Sequence, residues 1–479
     1  MTTVWETVIG LEVHCELLTQ TKLFCGCRNA FGDEANTNVC PVCLGLPGSL
    51  PVLNEHAVEL AMRIGLALNC AVRPSTFHRK NYFYPDMPKD YQVTQYDEPL
   101  NVGGHLELAS GRRITIERAH MEEDTGKTTH VGGRGRLHDA DYSLVDYNRA
   151  GVPLVEIVSA PDIRSAAEAR DYVAELRAIL VATGASDGRM EEGSLRVDAN
   201  VSVRPAGADV FGTRCEIKNL NSLRSLGRAV ESEAARQIAL IEAGERVVQQ
   251  TRHWDEEAQR TVATRSKEEA FDYRYFPEPD LVPLAPADEW RAAVAAGLPV
   301  LPAQRRARLG ELVGAGAGSE DRAVGDQVAT VVAQGLDDLV VAAIEAGADP
   351  QRALNRAANE AAADADGASR LDPASFAQLL VMEGDGRLSA TQAKAVLAAM
   401  LSGGGNPADI AAQKGFKPLE ASELAGVVDE VVGANPGEWE RFCGGEDKVI
   451  QFLVGQVMKA TRGKADGKAV IALLQARRG

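Results

Sequence analysis

The sequence predicts an α+β protein: a one-sided sheet with flanking helices, followed by an almost entirely helical second part. Three observations predict it. Runs such as Val8–Leu17 and Leu195–Arg204 alternate apolar residues with charged or polar ones. Most aromatic residues precede Trp290. From Trp290 onward the chain is Ala-rich and its apolar residues recur at helical spacing. The length of 479 residues suits two to four domains. With 45% hydrophobic and 25% charged residues, collagen, a long coiled coil and wholesale disorder are excluded.

The elements follow in order. In Val8–Leu17 the side chains of Ile9, Leu11, Val13, Cys15 and Leu17 point one way, and Glu12, His14 and Glu16 the other. Asn54–Leu68 is a helix with Ala57, Leu60, Ala61, Ile64 and Leu68 on one stripe. Ile114–Glu122 and Val152–Val158 read as strands, the latter with a lone Glu156 in an apolar run. Ser165-x-x-Glu168 caps a helix that turns Tyr172, Val173, Leu176, Ile179 and Leu180 inward and ends at Gly184. Leu195–Arg204 and Arg214–Lys218 alternate again, the first carrying Asp198 and Asn200 and the second Glu216. In the helical part, Ser389-x-x-Gln392 is a capping box, with Ala393, Val396, Leu397 and Met400 on one face. Gly403-Gly404-Gly405-Asn406-Pro407 breaks the chain and is the best linker. Helical patterns resume at Ser422–Val432, Lys448–Thr461 and Ala469–Arg477. The expected domains are 1–290, 291–403 and 404–479.

Asp and Glu number 68 against 51 Lys and Arg, a net charge of −17. Spread evenly, that charge would repel nucleic acid and anionic lipid. It is not even. Residues 446–479 carry seven basic against three acidic residues, whereas 301–445 carry 12 against 21. No basic stretch followed by a long apolar core opens the chain, and no run approaches the roughly 18 apolar residues of a membrane span. The expectation is a cytoplasmic protein whose 8 Cys are thiols or metal ligands.

Several carboxylates on one sheet face stay ionised together only if solvated, paired with Lys or Arg, or bridged by a cation. A solvated outer face is one reading; a site for Mg²⁺, which takes oxygen ligands and substrate phosphates, is the other. His14, two residues from Glu12, favours the site. No GxxxxGK[ST] loop occurs, so basic side chains and metal must hold any nucleotide phosphates. The block from Phe77 to Tyr91 mixes basic and aromatic residues. It is either a loop over the core or a platform on which Arg79 and Lys80 supply charge and tyrosines supply stacking surface. Cys25-x-Cys27 and Cys40-Pro-Val-Cys43 suit a closed tetrahedral Zn²⁺ shell, a structural clip; four free thiols are the alternative. No GxSxG elbow and no Cys–His pair is legible, so ammonia taken from glutamine would have to be released by another chain.

Long stretches carry a resemblance. They are Val8-Ile9-Gly10-Leu11-Glu12-Val13-His14, the Arg79–Tyr91 block, His120-Met121-Glu122-Glu123-Asp124, and the segment from Glu156 to Arg164. Glu192-Gly193-Ser194-Leu195-Arg196-Val197-Asp198-Ala199-Asn200, Lys218-Asn219-Leu220-Asn221-Ser222, the segment from Asp272 to Asp280 and the one from Phe452 to Lys459 continue it. Together they closely resemble the B-subunit family of aspartyl/glutamyl-tRNA(Asn/Gln) amidotransferases, densely over 1–285 and again near the end.

The resemblance implies a glutamine-synthetase-like catalytic domain, an antiparallel sheet with flanking helices called a cradle, then an all-α domain and a small all-α tail. It implies ATP-dependent phosphorylation of the side-chain carboxylate of Glu misacylated on tRNA(Gln), or Asp on tRNA(Asn). Ammonia from an amidase-type glutaminase subunit then displaces phosphate, and a small third subunit spans the pair. Carried onto this chain, Glu12, His14, Lys80, Glu122, Glu123, Glu156, Asp198 and Glu216 are catalytic candidates. His14, Glu123 and Glu156 are the expected Mg²⁺ ligands, with Glu122, Asp198 and Glu216 completing the acidic cluster. Arg79, Lys80 and Asn200 are expected at the nucleotide. Cys25, Cys27, Cys40 and Cys43 match the members that contain Zn²⁺, and Lys459, Arg462, Lys464 and Lys468 fall in the tail assigned to tRNA. Residues 350–370 lack the tryptophan-bearing helix of the family, and Pro283–Pro302 leaves no room for the insertion of the archaeal relative, which favours the bacterial type. A tRNA-presenting scaffold and a free-standing ligase acting on a free amino acid are the rival readings.

Overall fold

The computed structural model describes residues 3–132, 140–266, 273–314, 322–416, 421–461, 465 and 467–478. The chain forms two compact units, Met1–Pro302 and Ala303–Gly479.

The first unit is built on one sheet. Its elements are β1 (Trp5–Glu16), α1 (Glu55–Ala67), β2 (Ala71–Val72), β3 (Phe77–Asn81), β4 (Tyr91–Gln95), β5 (Asn101–Glu107), β6 (Arg113–Glu123), β7 (Lys127–Val131), β8 (Tyr142–Asp146) and β9 (Pro153–Ser159). After them come α2 (Ala166–Ala182), β10 (Leu195–Pro205), β11 (Cys215–Leu220), α3 (Leu223–Glu242), β12 (Gln250–Asp255), β13 (Arg260–Ser266), β14 (Phe276–Pro277) and α4 (Asp288–Ala296). The sheet runs β13-β12-β11-β10-β1-β9-β6-β4-β3-β14, with β5 beside β6 and β2 beside β5; β7 and β8 form a separate hairpin. Its pairings are antiparallel except β11 with β12, which is parallel.

β1 lies at the centre because its back face is wholly apolar. Ile9, Leu11, Val13 and Cys15 are fully buried, as are Val197, Ala199 and Val201 of β10 and Val155 and Ile157 of β9. α1, α2, α3 and α4 cover that face and share its core. Each fully buried Leu, Ile or Val contributes about 1.5–3 kcal/mol over the exposed state. A one-residue slip of β1 would drive Glu12 and His14 into this core, so the register is strongly specified. Ser165 caps its helix as expected, accepting from the Glu168 amide, and Asn54, read as the first residue of α1, is instead its cap, accepting from the amides of His56 and Ala57. α4 belongs to this unit, since Val294 lies in its core and Trp290 and Leu301 pack against it. The unit therefore extends past residue 290, to Pro302.

The second unit is helical throughout the described residues and holds two separate cores, one from Leu309 to Ala411 and one from Leu424 to Leu474. Ser389 and Gln392 form the reciprocal capping box of the helix Ala390–Gly403. The break after Gly403 is a turn within the first of these cores, not the border between them. The next helix, Pro407–Gln413, is capped by Asn406 and packs Ala411, Ala408 and Ile410 onto that same core. The three helical patterns expected in the tail are Ala421–Ala434, Ile450–Ala460 and Gly467–Arg478. Among the described residues no single helix is long and apolar enough to cross a membrane.

Candidate active site

The front of the sheet gathers the charged side chains. Register places Glu12 opposite Asp198, and His14 opposite Glu156 on β9 and Arg196 on β10. Across β9, Glu156 also faces His120 of β6. Period-2 alternation therefore brings together residues that are remote in sequence. All but His120 line a cleft of about 550 Å³ that also holds Lys80, Arg118, Glu122, Asp124, Arg214, Glu216, Lys218, Thr251, Tyr273 and Tyr275.

Two candidate ligand sets lie in it. In each, one donor atom per residue lies within 4.8 Å of the others: His14, Glu122 and Glu156 form one, Glu12, Asp198 and Glu216 the other. His14 Nε2 is 3.8 Å from Glu122 Oε1 and 3.9 Å from Glu156 Oε2, and His120 Nε2 is 3.3 Å from Glu156 Oε2. Lys218 Nζ lies 3.0 Å from Asp198 Oδ2 and 3.2 Å from Glu216 Oε1. Asn200 Nδ2 donates to Glu12 Oε1 at 2.8 Å, and Thr251 Oγ1 to Glu216 Oε2 at 3.0 Å.

The electrostatics separate these carboxylates. Burial works against the charge of Glu156, but the imidazoles of His120 and His14, with Arg118, hold it well below the usual carboxylate range. Burial and the negative charges of Glu156, Glu216 and Asp198 push Glu12 up. Glu122 is pushed up too, by burial and Glu156, against the pull of His14, His120 and Lys80. At one end of the cleft Glu16 rises to about 8 through burial and the neighbouring Asp124. Asp124 itself is held low, against burial, by Arg196 at 2.6 Å and Arg149 at 3.5 Å. Burial opposes the charge of Lys218 as well, yet Asp198 and Glu216 keep it protonated. The rise at Glu12 and Glu122 comes first from burial and then from the neighbouring negative charges. A divalent cation relieves it, and oxygen donors with one imidazole suit Mg²⁺.

Two expected members lie elsewhere. Glu123 does not join His14 and Glu156; Glu122 does. Adjacent residues of β6 face opposite sides, and Glu123 turns back to pair with Lys89 and to accept the Val93 amide at 2.8 Å. Arg79 likewise faces away from Lys80. It forms a two-pronged ion pair with Glu278, at 2.7 and 2.8 Å, and stacks on Tyr91. Lys80 is in the cleft, its Nζ 4.6 Å from the ring centre of Tyr273.

Behind Glu123 lies the cysteine loop. The Sγ atoms of Cys25, Cys27, Cys40 and Cys43 all lie within 4.8 Å of one another, which fits one tetrahedral Zn²⁺. The Cys40 amide donates to Cys43 Sγ at 3.1 Å. The fully buried Lys22 donates to the same sulfur at 3.7 Å and to Tyr147 O at 3.1 Å, so its Nζ faces the cysteine cluster.

The family model described as the GatB/GatE catalytic domain matches residues 7–292, and the one described as the GatB domain matches 338–477. The chain is 51% identical to the B subunit of the aspartyl/glutamyl-tRNA(Asn/Gln) amidotransferase of Frankia casuarinae, across 99% of this chain and 96% of that one. It is 50% identical to the protein of that name from Moorella thermoacetica, across 99% of each. The likeness to that of Carboxydothermus hydrogenoformans is 48%, across 98% of each. The chain belongs to this B-subunit family. The first family match ends within α4, the last helix on the first core.

The residues singled out by the family motifs divide accordingly. Glu12, His14, Lys80, Glu122, Glu156, Asp198 and Glu216 meet in the cleft; Glu123 and Arg79 do not. Asn200 braces Glu12 from the cleft's edge. Lys459 is exposed on the helix Ile450–Ala460; Arg462, Lys464 and the side chain of Lys468 lie outside the described residues. His120, Lys218 and Arg118 were missed as site residues. His120 precedes Glu122 by two positions and Lys218 follows Glu216 by two, so the alternation that marked Glu12 and His14 would have found both.

Proposed function

We propose that the chain is the phosphorylating and transamidating component of a tRNA-dependent amidotransferase. It converts Glu-tRNA(Gln), Asp-tRNA(Asn) or both to the amidated forms, using ATP and ammonia. What carries the reading is the acidic face on which His14, Glu122 and Glu156 adjoin Glu12, Asp198 and Glu216. The terminal phosphoryl of ATP passes to the side-chain carboxylate and ADP leaves. Ammonia then adds at the activated carbonyl carbon and phosphate departs. Mg²⁺ held by His14, Glu122 and Glu156, and a second ion by Glu12, Asp198 and Glu216, would supply charge neutralisation for the transferring phosphoryl group. Lys80, Arg118 and Arg214 line the same cleft and draw in the phosphates. Lys218 bridges Asp198 and Glu216 and holds both carboxylates in place. Glu12, with its raised proton affinity, is the carboxylate best suited to take the proton that ammonium loses.

The partners of this reading are an amidase-type glutaminase subunit, a small third subunit, and the misacylated tRNA, in the cytoplasm. The first unit would be the cradle. The test is amidation of both misacylated tRNAs by the assembled complex with ATP and either glutamine or ammonium. Turnover of ATP with free glutamate and no tRNA would instead identify a free-standing ligase.

Two further outcomes are expected. Cys25→Ser removes zinc, read by elemental analysis, and lowers the thermal midpoint, while ammonium-supported amidation persists because the clip lies behind the cleft. Zinc retained at the wild-type level would reject the four-cysteine site. In the tail, Lys459, Arg462, Lys464 and Lys468 are assigned to tRNA. Arg477 and Arg478 are occupied, by Asp429 at 2.6 Å and Asp447 at 2.5 Å. Changing Lys459, Arg462 and Lys464 to Gln weakens tRNA binding and lowers its salt slope by about two to three. An unchanged slope would remove the tail from the interface.

A further inference from the structure

Toward the β3 and β14 edge of the sheet the cleft becomes aromatic. Tyr82, Tyr273 and Tyr275 line it there. Tyr275 stacks in parallel on Tyr96, with ring centres 4.0 Å apart, and meets Tyr273 edge to face at 6.1 Å. Tyr82 packs on Tyr84 at 4.7 Å. Tyr84 and Tyr96 are exposed, and the other three are half-buried. None of the five is among the described residues of the first unit's apolar core. Packing of that core therefore does not account for so many rings in one place.

The wall is held in shape without a ligand. Arg274, between two of the tyrosines, has a φ of 48°. That left-handed conformation costs a non-glycine residue about 1–3 kcal/mol. Asn81 offsets it, because its Nδ2 donates to Tyr273 O at 2.9 Å and to Arg274 O at 3.0 Å. The chain is then anchored where Phe276 pairs with Arg79 and Arg79 grips Glu278. A cation adjoins the rings, since Lys80 Nζ lies 4.6 Å from the centre of Tyr273. Burial, then the negative charges of Glu122 and Glu156, push the Tyr275 hydroxyl up, so this ring reaches toward that ligand set. β3 is two strands from β6, about 10 Å at 4.7–4.9 Å per strand. A glutamyl side chain, its ester and a ribose bridge such a span. Fixed rings with a cation beside them suit an unpaired base, which proteins hold chiefly by stacking. The substrate of the proposed reaction carries its amino acid on the last nucleoside of a single-stranded end. With the reacting carboxylate at His14, Glu122 and Glu156, that nucleoside falls at the wall.

We propose that Tyr273 and Tyr275, backed by Tyr96, form the subsite that stacks the 3′-terminal adenosine of the misacylated tRNA. The inference rests on the tRNA-dependent reaction proposed above. The experiment uses the assembled complex with ATP, ammonium and the misacylated tRNA that it amidates, and two hydrolysis-resistant inhibitors. One is the matching aminoacyl amide of 3′-amino-3′-deoxyadenosine; the other is the same amide on a ribose without a base. Tyr273→Leu and Tyr275→Leu are each expected to raise KM for the tRNA about tenfold and to weaken inhibition by the adenosine amide to the same extent. Tyr275→Phe keeps the ring and retains wild-type values. ATP binding, read by calorimetry, and inhibition by the baseless amide stay unchanged in all three. A wild-type KM in both Leu variants overturns the subsite. An equal loss for both amides overturns it as well, since that reports a distorted cleft rather than a lost stack. Weakened ATP binding with the KM for tRNA intact gives the wall to ATP and overturns it too. If the wild type amidates neither misacylated tRNA, the tRNA-dependent reaction itself is rejected and the subsite with it.

Discussion

Glu156→Gln is expected to cut ATP-dependent amidation on the order of 10³-fold, measured as Gln-tRNA(Gln) formed with ammonium as donor, which bypasses the glutaminase. The amide keeps the volume of the side chain and removes its charge. That charge is the centre of one ligand set: it lies 3.3 Å from His120 and 3.9 Å from His14, and both imidazoles help to hold it ionised. Without it His120 loses its carboxylate partner, and His14 and a cation are left with Glu122 alone. Glu122→Gln separates charge from stability. Glu122 has its proton affinity raised in the fold, so its stabilising contribution is full below the unfolded carboxylate pKa and is lost as pH rises through the folded one. Once ionised, its charge is a cost that His14, His120 and Lys80 offset in part and a cation would offset further. Glu122→Gln is therefore expected to raise the thermal midpoint in chelator while lowering activity, whereas Glu156→Gln lowers both. Full activity in Glu156→Gln would reject the site; equal shifts of the midpoint in the two variants would reject the division of roles.

The alternation of β1, β10 and β11 put the acids on one face before any contact was known, because a half-buried strand has only two sides. The same rule should have separated Glu122 from Glu123 and Lys80 from Arg79. In each pair two adjacent residues of like chemistry competed, and only the sheet partners decide which faces front. β6 is fixed by β9, whose Glu156 sits opposite His120; β3 is fixed by β4 and β14. Those pairings bridge long stretches of sequence and leave no local mark. The helical part was legible where a cap or a stripe exists, as at Ser389. The glycine-rich break at 403–407 was less so. A break in helical pattern reports a turn, and whether that turn also ends a core depends on where Ala411 and Ile410 pack. The four-cysteine cluster was legible from spacing because cysteines in two close pairs have few other uses. Lys22, which faces them, was not, since a lone lysine in a loop carries no sign of burial.

Glu233→Leu is expected to cost about 3–5 kcal/mol in urea unfolding with an unchanged m value, the price of stranding a buried cation. Glu233 of α3 is fully buried and accepts from Arg236, Gln237 and Thr261, and its Oε2 lies 3.2 Å from Arg252 Nε. Burial alone would raise its proton affinity; the hydrogen bonds from Arg236, Gln237 and Thr261 outweigh it and hold Glu233 low. The sign follows: this contribution is present above the unfolded carboxylate pKa and is lost as pH falls through the folded one. Arg252→Met in the same background is expected to recover part of the loss, because an apolar pair replaces a stranded guanidinium. The consequence reaches the site through one strand. Arg252 follows Thr251 on β12, and Thr251 Oγ1 holds Glu216 Oε2. Loosening the clamp frees β12 and with it one carboxylate of the Glu12, Asp198 and Glu216 set. Amidation should therefore fall in Glu233→Leu even below its unfolding transition, through a weakened Mg²⁺ dependence with KM for tRNA unchanged. Wild-type stability in that variant would show that α3 does not clamp the edge. Wild-type Mg²⁺ dependence at reduced stability would show that the clamp stops short of Glu216.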